Sequence, residues 1–192
     1  MKEKFSENIY VKHKYLNFIK SQEYPKNPFK NKVGQLKRFY IPLCKIIFND
    51  FKKNNCTRII GLRGSQGSGK STISKILSII LKEKYKLNTT TLSIDDFYKT
   101  FKDRKKMSKK ISELFLTRGV PGTHDTKILI KCLNKLKHHK FKNILIPKFD
   151  KSNDDRFKKK NWTKIKKKPD IIIFEGWCVG AKAQPNNSLI KP

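Results

Sequence analysis

Apolar residues recur along this chain with two different periods, and each change of period marks an element. Arg58-Ile59-Ile60-Gly61-Leu62 is a short apolar run of strand length, whereas Ile73, Ile76, Leu77, Ile80 and Leu81 fall three and four apart, the spacing of one helix face. The pattern predicts a strand at 58–62 and a helix from near Lys70 to about Tyr85. Thr89-Thr90-Thr91-Leu92-Ser93-Ile94 gathers β-branched residues and predicts a second strand. A strand that returns after a helix predicts a parallel βαβ unit.

Farther along, a polar Lys-rich stretch precedes an expected helix at 111–116, and Gly119, Pro121 and Gly122 predict a turn forming a loop over the site. Asp125 or Thr126 can cap a helix running to about Leu136, with Ile128, Leu129, Cys132, Leu133 and Leu136 as its apolar face. Residues 143–147 predict a short strand or sheet edge. Asp170-Ile171-Ile172-Ile173-Phe174-Glu175-Gly176 is an unbroken apolar run ending in a carboxylate, the profile of a central parallel strand. Before Cys56, residues 39–48 read as helical, Pro25 and Pro28 divide the segment, and Tyr10, Tyr15, Phe18 and Phe39 are expected to be packing anchors.

These elements predict an α/β fold in which a helical extension, residues 1–57, lies against an α/β domain, residues 58–192. After Glu175 only residues 177–192 remain, with Pro185, Asn186 and Asn187 reading as loop. The sheet is therefore expected to be truncated after its third core strand, leaving an exposed edge.

Between the first strand and its helix stands Gly64-Ser65-Gln66-Gly67-Ser68-Gly69-Lys70-Ser71, a full match to Gly-x-x-x-x-Gly-Lys-Ser/Thr in the strand–loop–helix context that the motif requires. Glycines let successive backbone N–H groups turn toward phosphate oxygens. Lys70 adds a positive charge on the phosphates, the Ser71 hydroxyl is a candidate Mg²⁺ ligand, and the helix aims its positive dipole end at the anion. Gly64 through Ser71, with the adjoining Thr72, are the candidate ATP contacts. Phosphoryl transfer also needs carboxylates for metal and proton. Asp95 and Asp96 follow one strand directly and Glu175 ends another, so all three are expected in the crevice beyond the strand ends. The residues alone leave open which aspartate is the base.

The 192-residue length suits a single domain. Lys and Arg number 46 against 15 Asp and Glu, a formal charge of +31. That excess suggests a polyanion partner. Yet Lys far outnumbers Arg, and Lys, Asn and Ile are abundant together, which reads as compositional drift at surface positions; no specific nucleic-acid partner is expected. Cys44, Cys56, Cys132 and Cys178 form no Cys-x-x-Cys pair, the pattern of free cytosolic thiols. No run approaches membrane-spanning length, so the expectation is a cytoplasmic protein with no membrane partner. Guanine-reading and Asp-x-x-Gly switch motifs are absent, which disfavours a GTP switch.

Four further segments follow the cradle in order: Ser93-Ile94-Asp95-Asp96-Phe97-Tyr98, Arg118-Gly119-Val120-Pro121-Gly122-Thr123-His124-Asp125, Pro147-Lys148-Phe149-Asp150-Lys151-Ser152 and Phe174-Glu175-Gly176-Trp177-Cys178-Val179-Gly180. Together they resemble the plant-type D-glycerate 3-kinase family, among the P-loop kinases that include uridine kinase, phosphoribulokinase and pantothenate kinase. The resemblance covers about 58–180 and, more weakly, 40–43. It implies a P-loop NTPase-type fold, ATP with Mg²⁺, and a D-glycerate-like hydroxy acid as acceptor. By this resemblance Lys70, Asp95 and Glu175 are catalytic: Asp95 matches the carboxylate that activates the acceptor hydroxyl, and Glu175 the strand-end acid near Mg²⁺. Tyr98, Arg118, His124, Asp125 and Arg156 match positions bordering the acceptor. Planar guanidinium groups suit a small carboxylate. Asn153-Asp154-Asp155-Arg156 departs from the family in lacking glycines. Two other readings stay open: a different kinase of the uridine and pantothenate group, or an ATP-dependent nucleic-acid-binding module.

Overall fold

The computed structural model describes residues 2–24, 28–182 and 185; Pro25, Asn186 and Asn187, where breaks and loop were expected, lie outside them. In chain order the elements are α1 (Lys2–Ser21), α2 (Lys32–Gln35), α3 (Ile41–Asn54), β1 (Arg58–Arg63), α4 (Lys70–Tyr85), β2 (Thr89–Ser93), α5 (Phe101–Lys110), α6 (Thr126–Lys137), β3 (Ile144–Ile146), β4 (Phe149–Asp150), β5 (Asp155–Arg156), β6 (Thr163–Ile165) and β7 (Ile171–Gly176).

The last strand in sequence is the middle one in space: β1 and β2 both pair parallel with β7, giving the order β1-β7-β2. The unbroken apolar run explains this position, because a strand covered on both faces needs apolar side chains at every step. Ile171, Ile172 and Ile173 are fully buried. Ile171 and Ile173 join Ile76, Leu77, Ile80 and Leu81 of α4 in one core cluster, while Ile172 joins Leu92 with Leu129, Cys132 and Leu136 of α6 in another.

The first cluster also takes in Val11, Tyr15 and Ile19 of α1 and Cys44 and Ile47 of α3, so the N-terminal helices pack on the outer face of α4. Of the expected aromatic anchors, Tyr15 is buried and donates its hydroxyl to the Lys32 carbonyl at 3.0 Å. Phe18 is partly buried against this cluster. Tyr10 and Phe39 depart from the expectation, at 49% and 58% exposed.

A second departure lies at 111–116. The helix there is instead α5, in the Lys-rich stretch before it, and residues Glu113–Leu116 form only a single 3₁₀ turn. Thr100 starts α5 by accepting a hydrogen bond from the Asp103 N–H at 3.2 Å, a strong N-cap. Ile111 and Leu114 are exposed, so their apolar character carries no packing information. The strand at 144–146 forms as expected but outside the main sheet, paired antiparallel with β6.

Candidate active site

The carboxyl ends of β1, β2 and β7 lie level, with Arg63 opposite Gly176 and Ser93 opposite Glu175. The three following loops therefore converge, and between them lies a cavity of about 680 Å³. Its wall includes Ser65, Gln66, Gly67, Lys70 and Ser71 from the cradle, Ser93, Asp95 and Tyr98 after β2, Arg118 and Gly119, Lys151, and Glu175 to Trp177.

The cradle joins a strand to a helix. Gly67 and Gly69 hold φ of 75° and 78°, the left-handed region that glycine enters without steric cost. A Cβ on Gly64 would meet Ser68 Oγ at 2.5 Å, so a side chain there would displace the Ser68 hydroxyl from its bond to the Ser65 carbonyl. Gly69 caps α4 with no side-chain hydrogen bond, which leaves the first N–H groups of the helix to an external acceptor. Lys70 Nζ donates to the Ser65 carbonyl at 2.6 Å, arched over the space where phosphate oxygens would lie. Thr72 is half-buried beside it on the first turn.

Ser71 Oγ donates to Glu175 Oε1 at 3.1 Å, and Glu175 is buried. These residues fit Mg²⁺, a hard cation that in nucleotide sites takes one or two protein oxygens together with phosphate oxygens and water. No cluster of three or more His, Cys, Asp or Glu able to hold a metal occurs among the described residues.

The two aspartates after β2 diverge. Asp95 faces the cavity and pairs with Lys151 Nζ at 2.8 Å. Asp96 faces away from it, accepting from Lys148 Nζ at 2.9 Å and from the Phe149 N–H at 3.2 Å. Tyr98 and Arg118 line the cavity with Asp95. His124, Asp125 and Arg156 do not. The His124 ring stacks on Tyr98 with centroids 4.1 Å apart, and its Nε2 is buried without a hydrogen-bond partner among the described residues. Burial pushes the His124 pKa down, opposed by the charge of Asp95. Burial pushes the Tyr98 phenol up, and the Asp95 charge adds to this. Asp125 caps α6 by accepting from the Ile128 N–H at 3.2 Å. Arg156 donates through Nη2 and Nε to the Tyr98 carbonyl at 2.6 and 3.2 Å, and through Nη2 to Asp125 at 3.3 Å. These three residues stand behind Tyr98 and hold it, because their polar atoms are already engaged or enclosed there.

Lys151 and Trp177 are wall residues to which sequence reasoning assigned no role. The only signal for them was membership in the resembling segments.

The phosphoribulokinase/uridine kinase family model matches residues 59–183. Over 140 residues the chain is 39% identical to the "Probable ATP-dependent kinase TDA10" of Saccharomyces cerevisiae, a match covering 66% of this chain and 47% of that protein. It is 32% identical over 136 residues to the chloroplastic D-glycerate 3-kinase of Arabidopsis thaliana, covering 66% and 29%. Among solved structures, D-glycerate 3-kinase from Cryptococcus neoformans superposes with a TM-score of 0.68 at 28% identity, covering 77% of this chain and 55% of that one. The chain thus spans less than half the length of the two curated relatives it matches here. With a family model matched along most of the chain, and the cradle, strand-end acid and sheet order in place, the chain belongs to the phosphoribulokinase/uridine kinase family.

Proposed function

We propose that this protein is an ATP-dependent small-molecule kinase whose acceptor is a small hydroxy acid of the D-glycerate kind. One observation carries the reading: a single cavity is lined both by Lys70 and Ser71, groups suited to phosphate, and by Asp95, which pairs with Lys151 at 2.8 Å, together with Arg118. The first set suits a triphosphate. The second suits a molecule carrying both a hydroxyl and an acid group, since the hydroxyl needs a proton acceptor and the acid group needs cations. The similarity to D-glycerate 3-kinases supports the same acceptor.

The chemistry follows from these residues. Lys70 and the first N–H groups of α4 hold the β- and γ-phosphates and stabilise the charge that develops during transfer. Mg²⁺, when bound with the nucleotide, neutralises phosphate charge; Ser71 and Glu175 are the residues that would hold it, directly or through water. Arg118 and Lys151 bind the acid group and turn the hydroxyl toward Asp95. Asp95 takes the hydroxyl proton as that oxygen bonds to the γ-phosphorus and the bond to the ADP oxygen breaks. The products are ADP and the phosphorylated acid.

ADP release measured across hydroxy acids, nucleosides and pantothenate tests the reading, with Lys70→Ala as the blank. Turnover with D-glycerate, abolished in that variant, is expected. Turnover of uridine or pantothenate with none of glycerate would replace the acceptor and keep the kinase class. Turnover with none of them, despite Mg·ATP binding, would remove the proposal.

A further inference from the structure

Arg118 and Lys151 both sit on irregular backbone. Arg118 follows the 3₁₀ turn Glu113–Leu116, and Lys151 opens the turn between β4 and β5. Neither cation is carried on a helix or strand, but a buried side chain from helix α5 bonds to both of their loops. Arg104 stands in Lys-rich α5 among exposed neighbours, yet it is fully buried, a rare state for a charge unless it is well paired. Its Nη1 donates to the Leu116 carbonyl at 2.6 Å, two residues before Arg118. Its Nη2 donates to the Asp154 carbonyl at 2.6 Å and to the Asp154 carboxylate at 2.8 Å. The other carboxylate oxygen of Asp154 accepts from Arg118 Nη1 at 2.8 Å, and the same Nη1 reaches the Lys151 carbonyl at 3.3 Å.

Asp154 therefore lies between two guanidinium groups. Its backbone is left-handed, with φ of 50°, at the end of the turn that joins β4 to β5. Asp is among the few residues that tolerate this conformation, and unlike glycine it brings a carboxylate to the bend. Arg118 is further confined over the face of Phe149, 5.6 Å from the ring centre. Among the described residues its Nε and Nη2 have no hydrogen-bond partner, so two of its nitrogens stay available for a carboxylate.

We infer that Asp154 and Arg104 are positioning residues for acceptor specificity: a carboxylate shared by two arginines ties the Arg118 loop to the Lys151 turn and sets the spacing of the two cations that receive the acceptor's acid group. Holding the guanidinium in place before the ligand arrives removes an ordering cost from binding. The inference rests on the proposed kinase reading for its ligand, though not for its geometry.

Asp154→Asn and Asp154→Gly, made in the full chain, provide the test, since both residues accept left-handed backbone. At saturating Mg·ATP each should raise the acceptor KM about tenfold while the KM for ATP stays within about twofold. In an Arg118→Ala background neither should raise the acceptor KM further, because the interaction it supports is already gone. An unchanged acceptor KM, full additivity with Arg118→Ala, or an effect of the glycine variant alone would overturn the inference. If the wild-type chain turns over no acceptor, the functional reading fails by itself, and amide hydrogen exchange decides the brace. Faster exchange across 151–156 in both Asp154 variants supports it, and unchanged exchange overturns it.

Discussion

Asp95 and Asp96 are adjacent in sequence, yet one carboxylate faces the cavity while the other anchors β4. Substituting them should separate chemistry from architecture. Asp95→Asn keeps the shape and removes the base, so kcat should fall by about 10²- to 10⁴-fold with little change in Tm. Asp96→Asn should instead lower Tm, because it weakens the bonds to Lys148 and Phe149. A normal kcat in Asp95→Asn together with a large loss in Asp96→Asn would transfer the role of base. His124 makes a pH-dependent contribution. Its folded pKa is depressed by burial, below the unfolded value of about 6.5. The stability it contributes is therefore full above the unfolded pKa and lost as pH falls through the folded one. His124→Phe keeps a ring against Tyr98 and removes the titration, so the decline of Tm below about pH 6.5 should flatten. An unchanged profile would show that the ring binds its proton equally well in the folded and unfolded chains, so that burial does not depress its pKa.

At the scale of elements, α6 shows how one residue can serve two. Asp125 caps its first turn and also receives Arg156 from β5, whose guanidinium fixes the Tyr98 carbonyl. Asp125→Ala should cost at least about 1 kcal/mol from the cap alone, read as a lower denaturation midpoint, and should loosen Tyr98 as well. Asp125→Asn, which can still cap, should recover most of the stability. Equal losses in the two variants would place the effect in the Arg156 pair. Helix α6 was legible in sequence because capping residue and apolar stripe stand together. Helix α5 was not, because its buried residue is Arg104 and no apolar period announces it.

For the whole molecule, the sheet order carries the clearest consequence. β7 is hydrogen-bonded on both sides, whereas among the described residues β1 has a strand partner on one side only, and Ile59 remains 38% exposed. Amides within 171–176 should exchange more slowly than those within 58–63. Equal protection would mean that the β1 edge is covered in solution. The net charge of +31 is spread widely, and one groove of about 690 Å³ beside α6 is lined by Lys127, Lys131, Lys135, Lys140 and Lys142 without a carboxylate. This groove shares no residue with the cradle cavity. Among the described residues no helix is long and apolar enough to cross a membrane.

The strand–cradle–helix unit, the capped α6 and the central strand were determined by sequence alone, because each rests on neighbours in the chain: a loop motif, a cap before a stripe, an unbroken apolar run. The site's division of labour was decided by tertiary structure. Ser71 meets Glu175 across 104 residues, Lys151 meets Asp95 across 56, Arg156 meets Tyr98 across 58, and Arg104 meets Asp154 across 50. Residue type states what each group can donate or accept. Only the folded chain determines which partner lies within hydrogen-bond distance, and hence which arginine is free to meet a ligand and which is already engaged.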